Sequence, residues 1–358
     1  MSLFAGAYQG ASVLVTGHTG FKGSWLVAWL NALGARVTGY ALPPSTTPNH
    51  WQLLGAKARD EQGDIRELER FRAVVRECQP DIVFHLAAQP LVRRSYRDPL
   101  ETWSTNVMGT ANLLDSCRDL PGLKAIVVIT TDKVYANQEW PWGYRENERL
   151  GGHDPYSASK AAVELLCDSY RNSFFPNSGP TLLATARAGN VIGGGDWSQD
   201  RLLPDIVRAV GQGQSLEIRS PNATRPWQHV LDCLSGYLLL GQRLLGHQAA
   251  FAEAWNFGPD VADNRSVHAM LQVLGQHWPE LKWHLSAGEH PHEAGLLYLD
   301  NSKAKRLLDW QPVWDLQRAL AATAQWYSAH TRGELLTQAQ IAAFVAAAQQ
   351  ADCAWARA

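Results

Sequence analysis

Residues 12–34 read SVLVTGHTGFKGSWLVAWLNALG. SVLVT (12–16) is a short apolar, β-branched run of strand character that breaks at Gly17. Trp25, Leu26, Trp29, Leu30 and Leu33 then recur at helical spacing until Gly34 stops the helix. Between strand and helix lies GHTGFKG (17–23), with Gly17, Gly20 and Gly23 in the spacing GxxGxxG. Glycines there permit a tight turn and bring backbone N–H groups close to a pyrophosphate, while the helix N-terminus adds partial positive charge. Strand, loop and helix in this order are the context in which the motif signifies dinucleotide binding; a merely structural turn is the plainer alternative. Gly17, Thr19, Gly20, Phe21, Lys22 and Gly23 are the candidate contacts.

The same alternation continues. ARVTGY (35–40) reads as a strand and PPSTTPN (43–49) as a loop, with a further strand before Asp64. Leu68, Phe71, Val74 and Val75 mark a helix closed by Pro80, and DIVFHLAA (81–88) is a strand. Residues 107–117 are helical, and KAIVVITT (124–131) is apolar almost throughout, as suits a parallel strand covered on both faces. This predicts an α/β fold with a doubly wound parallel sheet. After about residue 188 the pattern loosens: GNVIGGGDW (189–197) is loop-like, and Pro204, Pro221, Pro226 and Pro259 punctuate short elements. The expected division is a dinucleotide-binding domain over 1–187, rejoined by part of 230–260, and a smaller mixed domain over 188–358. The tail from Glu334 to Ala358 reads as one helix.

Composition removes other classes. Of 358 residues, Lys plus Arg number 32 against 34 Asp plus Glu, so no general basic surface exists for nucleic acid or membranes. No apolar run approaches the roughly 18 residues that span a bilayer. The opening MSLFAGAYQG lacks a basic n-region and a long apolar h-region, so a cytoplasmic protein is expected. Five cysteines (Cys78, Cys117, Cys167, Cys233 and Cys353), widely spaced and without CxxC, argue against a disulfide framework or a zinc site, and no metal is expected.

The adenosine end lacks a usual feature. A carboxylate about 20 positions after the glycine loop normally holds the ribose of NAD, but the chain reads Tyr40-Ala41-Leu42-Pro43, and Arg36 sits at the wrong end of its strand for a 2′-phosphate. Asp64 and Ile65 could meet the adenine; alternatively Asp64 caps a helix over 65–77. Catalytic chemistry points elsewhere. In PYSASKAAVELL, Tyr156 and Lys160 form YxxxK and share one helix face. An ammonium one turn from a phenol stabilises the phenolate and lowers its pKa, and it can also hold a nicotinamide ribose. The phenolate can take a hydroxyl proton as hydride leaves the carbon.

Together GHTGFKG, HLAAQ (85–89), TNVMGT (105–110), TTDKVY (130–135) and YSASK (156–160) resemble the extended short-chain dehydrogenase/reductase family over roughly residues 10 to 310. The resemblance implies an NAD-binding Rossmann fold. Thr-Asp in TTDKVY is the mark of its nucleotide-sugar 4,6-dehydratases; 4-epimerases carry small hydroxyl or alanine residues there. Lys133 stands where many dehydratases have Glu, and with RPWQHVLD (225–232) and HEAGLLYLD (292–300) it looks like the branch acting on CDP-glucose, in deoxysugar and surface-polysaccharide synthesis. The implied reaction begins when Tyr156 takes the 4-hydroxyl proton and C4 gives hydride to NAD. A base then removes the C5 proton, Asp132 protonates the departing 6-hydroxyl, and hydride returns to C6. Thr131 holds the 4-oxygen. Lys133 is either the C5 base or a cation beside the enolate, with Tyr156 or a water moving the proton.

Further implied contacts are Leu86, Ala87, Ala88, Gln89 and Thr130 to the cofactor, with Asn106 on nearby backbone. For the sugar nucleotide they are Asn190, Arg225 as pyrophosphate partner, and Arg201 as a second candidate. Trp197 and Trp227 either flank the base or sugar or simply pack. His85 reads as a satisfied core histidine, and His229 and His292 lack metal-ligand spacing. Relatives dimerise through the helix after Asn106 and the YxxxK helix; Ala161, Ala162, Leu165 and Leu166 suit a homodimer, with a homotetramer as the alternative. The competing readings are another nucleotide-sugar dehydratase or 4-epimerase, and a non-catalytic dinucleotide sensor.

Overall fold

In the computed structural model, which describes residues 2–286 and 295–357, SVLVT forms β1 (Ser12–Thr16) at the heart of a seven-stranded sheet. On one side lie β2 (Arg36–Ala41) and β3 (Arg59–Gln62). On the other lie β4 (Ile82–His85), β5 (Ala125–Ile129) and β6 (Leu182–Ala188). All are parallel, and Val13 is in register with Val37 on one neighbour and Ile82 on the other. The chain therefore winds outward from β1 in one direction and restarts at β4 in the other. The crevice at this switch point, beyond the carboxyl ends of the strands, is where such sheets bind ligands. All five residues of β5 are buried, because helices cover both faces.

The helices α1 (Phe21–Ala32), α2 (His50–Leu54), α3 (Leu68–Cys78), α4 (Val92–Arg97), α5 (Pro99–Trp103), α6 (Gly109–Cys117) and α7 (Pro155–Ser173) belong to this half. Short paired strands follow: β7 (Val191–Ile192), β8 (Ser215–Ile218), β9 (Thr224–Pro226) and β10 (Gln228–His229), with α8 (Leu202–Gly211) between the first two. The chain then returns beneath the sheet as α9 (Val230–Leu245), against β5 and β6. It adds β11 (Ala254–Phe257) beside β6 as the seventh strand. The remaining elements are β12 (Asn264–Ser266), α10 (Val267–His277), β13 (Lys282–Leu285), α11 (Leu316–His330) and α12 (Thr337–Gln350).

Two local differences from the sequence reading have plain causes. The tail is not one helix: Asp352 adopts φ 52°, and a 3₁₀ turn over 354–356 seats Trp355 against Phe4 and Trp29. With α12 packed on α1, this buries α1 all round, and residues 23–30 are all inaccessible. The Gly-rich 193–195 run is packed rather than loose. Trp25 Nε1 donates to the Gly194 carbonyl at 2.9 Å, and the Trp326 ring lies where a Gly194 side chain would be.

Candidate active site

A cavity of about 990 Å³ opens where β5 and β6 end, between the sheet and the short strands that follow. Helix α7 starts beside it. Asp154 caps the helix, accepting from Ser157 N at 2.9 Å, and Pro155 occupies the first turn. That start sets the phase that buries Tyr156, Lys160 and Glu164, at i, i+4 and i+8, on the sheet side.

Tyr156 lies beside Thr131, and both line the cavity. Burial pushes its hydroxyl up to about 12, against the lowering effects of Thr131 and the Arg201 charge. Lys160 Nζ donates to the Ile129 carbonyl at 3.0 Å; burial, then the neighbouring Lys22 charge, pulls its pKa down to about 8. Burial thus outweighs the influences that lower the Tyr156 pKa. The ammonium is turned to a strand-end carbonyl, and desolvation of the phenol dominates.

Thr131 begins a 3₁₀ turn over 132–134. Its hydroxyl donates to Asp132 Oδ1 at 2.9 Å, while Asp132 Oδ2 is buried without a partner among the described residues. Lys133 is half-buried and lines the cavity, and among the described residues it forms no ion pair with Asp132. Thr130 lines the cavity, and its hydroxyl donates to Glu164.

The glycine turn fits a dinucleotide. Gly17 has φ 74°, and a Cβ there would lie 2.7 Å from Ala87 N; one on Gly23 would lie 2.7 Å from His18 Cα. Gly20 begins α1 without a capping side chain, so the first helical N–H groups are left for an anion. Thr19 Oγ1 donates to the Leu42 carbonyl at 2.9 Å, and Phe21 lies against Gly193. Lys22 turns inward to Tyr237, with 3.4 Å between Nζ and the phenol oxygen.

In HLAAQ, three N–H groups are already used: Leu86 N on Thr16 O, Ala87 N on Thr16 Oγ1 and Gln89 N on Asn106 Oδ1. Of the four amides from Leu86 to Gln89, Ala88 N alone has no such partner among the described residues. Asn106 also donates to Gln89 O at 3.2 Å and Ser159 Oγ at 2.9 Å, tying this loop to α7. His85 is satisfied between Thr16 and Thr110, and burial pulls its pKa down to about 3.

At the adenosine end Asp64 bonds Arg66, which holds its carboxyl below the usual range, and Ile65 is buried against Gly109. Asp64 does not cap α3, which starts at Leu68. A carboxylate nevertheless reaches the glycine turn: Asp60 Oδ1, from polar β3, meets His18 Nε2 at 2.8 Å. Nothing in the polar run RDEQ signals this in the sequence.

Asn190, Arg201, Arg225 and Trp227 all line the cavity. Arg201 pairs with Asp196 at 3.0 Å, Arg225 donates to the Thr224 carbonyl at 2.8 Å, and Trp227 Nε1 donates to the Arg265 carbonyl at 3.2 Å. Trp197 does not line it. Its ring sits edge-on to Trp326 and Tyr327, 5.6 and 5.9 Å away, so the packing alternative applies. His292 lies outside the described residues. The sequence reading missed Asp200, which lies 3.3 Å from Arg93 and 3.6 Å from Arg219 at the cavity wall.

Residues 14–323 match the family model for GDP-mannose 4,6 dehydratase. The chain belongs to this family. The GDP-mannose 4,6 dehydratase family sits within the extended short-chain dehydrogenase/reductase group that the motifs resemble. One relative, the CDP-glucose 4,6-dehydratase of Salmonella typhimurium, is 50% identical over 91% of this chain and 93% of its own length. An epimerase structure from Methanothermobacter thermautotrophicus superposes with TM-score 0.81 at 25% identity, covering 92% of this chain and 95% of its own. The structure of a dTDP-glucose 4,6-dehydratase from Streptomyces venezuelae, with NAD and TYD bound, gives TM-score 0.75 at 27% identity over 90% of this chain and 98% of that one.

Proposed function

We propose that this chain is an NAD-dependent CDP-glucose 4,6-dehydratase, converting CDP-D-glucose to CDP-4-keto-6-deoxy-D-glucose and water. The observation that carries the proposal is the convergence of Thr131, Asp132, Lys133 and Tyr156, with Lys160 one helical turn from Tyr156, on a cavity whose walls also hold Arg201 and Arg225. The Salmonella relative supports the choice of nucleotide. The glycine turn, Tyr156 and Lys160 would hold NAD. When bound, NAD supplies a hydride acceptor for the sugar C4 and a donor for C6.

The protein's own part is proton movement and placement. Tyr156, as the phenolate, takes the proton of the 4-hydroxyl, and Thr131 beside it steadies that oxygen. Oxidation at C4 acidifies C5, and Lys133 is the cavity-facing side chain assigned to that proton. Asp132, in its protonated form and with Oδ2 buried without a partner among the described residues, gives its proton to the departing 6-hydroxyl. Arg225 and Arg201 bind the diphosphate, for which planar guanidinium forks are suited.

A homodimer is part of the proposal. Leu100 and Trp103 on α5, Met108, and Leu165 on α7 form an exposed apolar face on neighbouring elements, and Leu100 is 80% accessible. A cytoplasmic setting suits five free thiols, and among the described residues no helix is long and apolar enough to cross a membrane. The test is turnover of CDP-, UDP-, dTDP- and GDP-sugars with added NAD, read by the alkali-induced absorbance of a 4-keto-6-deoxy sugar. CDP-glucose is expected to react; a signal confined to another nucleotide overturns the substrate assignment.

A further inference from the structure

The stripe on α7 that begins with Tyr156 and Lys160 ends in a buried carboxylate. Glu164 and its partner Arg187 on β6 are each 3% accessible and 2.9 Å apart. An ion pair at that depth is a poor source of stability, since desolvating both charges offsets most of their attraction. It can, however, fix direction. A carboxylate has about four lone-pair positions, and four donors occupy them here. Thr130 Oγ1 and Arg187 Nε bond Oε1; Thr185 Oγ1 and Arg187 Nη2 bond Oε2. Arg187 Nη1 then donates to the Tyr135 hydroxyl at 2.7 Å and the Glu146 carbonyl at 2.9 Å. Tyr135 donates onward to Asn256 Oδ1 at 2.8 Å, and the Asn256 amide is held by the carbonyls of Tyr144 and Asp300.

Thr130 and Tyr135 are the first and last residues of TTDKVY. The three chemistry-bearing side chains, Thr131, Asp132 and Lys133, lie between these two anchors. From this geometry we infer that Glu164 and Arg187 are positioning residues for the reaction, holding Thr131, Asp132 and Lys133 in place through Thr130 at one end and Tyr135 at the other. The inference rests on the dehydratase reading above and goes beyond it, because neither residue touches the cavity.

The structure supplies its own control. Thr130 and Thr185 each give one hydroxyl to the same carboxylate, but only Thr130 belongs to the catalytic segment; Thr185 is on β6. If the pair merely stabilises the fold, removing either hydroxyl has the same consequence. The full-length chain is assayed with NAD and CDP-glucose, and melting temperature is recorded for each variant. Thr130→Val is expected to lower kcat by about 10- to 100-fold, the scale of a misplacement near 1 Å, with KM for CDP-glucose unchanged within about twofold. Thr130→Ser, which keeps the hydroxyl, is expected to restore kcat to within about threefold, and Tyr135→Phe to lower kcat in the same sense as Thr130→Val. Thr185→Val is expected to keep kcat within about threefold while losing as much melting temperature as Thr130→Val. Equal kcat in the two valine variants overturns the inference, as does a Thr130→Val defect that lies in KM. A wild type active only on another nucleotide sugar contradicts the substrate assignment and leaves this comparison in force with that sugar. A wild type inert toward all of them overturns both.

Discussion

Asp232, in the first turn of α9 within RPWQHVLD, is a carboxyl whose burial sets a pH dependence of stability. It is fully inaccessible; Oδ1 accepts from Val313 N at 2.6 Å, and Oδ2 has no partner among the described residues. Burial pushes its pKa up to about 8, opposed by the amides of Val313 and Trp314 and assisted by the charges of Asp263 and Asp315. A carboxyl whose folded pKa is raised stabilises the fold fully below its unfolded value near 3.8, and that contribution is lost as pH rises to about 8. Asp232→Asn keeps an oxygen for Val313 and cannot ionise. Between pH 6.5 and 8 the wild type should lose about 1.7 kcal/mol relative to the variant, the slope falling from about 1.4 to about 0.7 kcal/mol per pH unit. For a chain of this length that is about 2 °C in melting temperature. The buried histidines His50, His85 and His229, each pulled down to about 3, have the same effect in both proteins and cancel in the difference. The assay is thermal melting of both proteins across this range in one buffer series. Parallel curves would refute the reasoning, because they would mean that Asp232 is already ionised in the fold.

Further outcomes follow from the site. Tyr156→Phe should lower kcat by about 10²- to 10⁴-fold, the range for a positioned acid–base group, with CDP-glucose affinity by calorimetry unchanged within about twofold. Because burial and Lys22 pull the Lys160 pKa down to about 8, with Cys167 and Glu164 opposing them, kcat should fall above that pH as the ammonium is lost; Lys22→Met, which removes a like charge, should move this limb upward. Leu165→Glu, at a position 61% accessible on the apolar face of α7, should convert a dimer to a monomer in sedimentation without lowering melting temperature by more than about 2 °C.

What could be read in the sequence was whatever is local in the chain. Strand, glycine turn and helix are contiguous from Ser12 to Leu33, and YxxxK is one helical turn, so both were plain from spacing. The pairings that cross the fold were not. Glu164 follows Lys160 by four residues and extends the same stripe, a signal present in PYSASKAAVELL; its partner Arg187 is 23 residues on and becomes visible only once β6 lies beside β5. Asp60 reaches His18 only because β3 is placed next to β2. Trp197 could be read either as a stacking plane or as packing, and the decision belongs to α11, whose Trp326 and Tyr327 claim its faces. The tail helix was overextended because Asp352, a residue that tolerates positive φ, carries no glycine's warning of a break.

The most direct measurement follows an isotope. CDP-glucose carrying deuterium at C4 is incubated with the chain and NAD, and the product is examined by NMR. A dehydratase moves that label within one sugar, so the account predicts a 4-keto-6-deoxy product with deuterium at C6. Deuterium retained at C4, in a sugar with its 6-hydroxyl intact and its C4 configuration inverted, would contradict it and make the chain an epimerase.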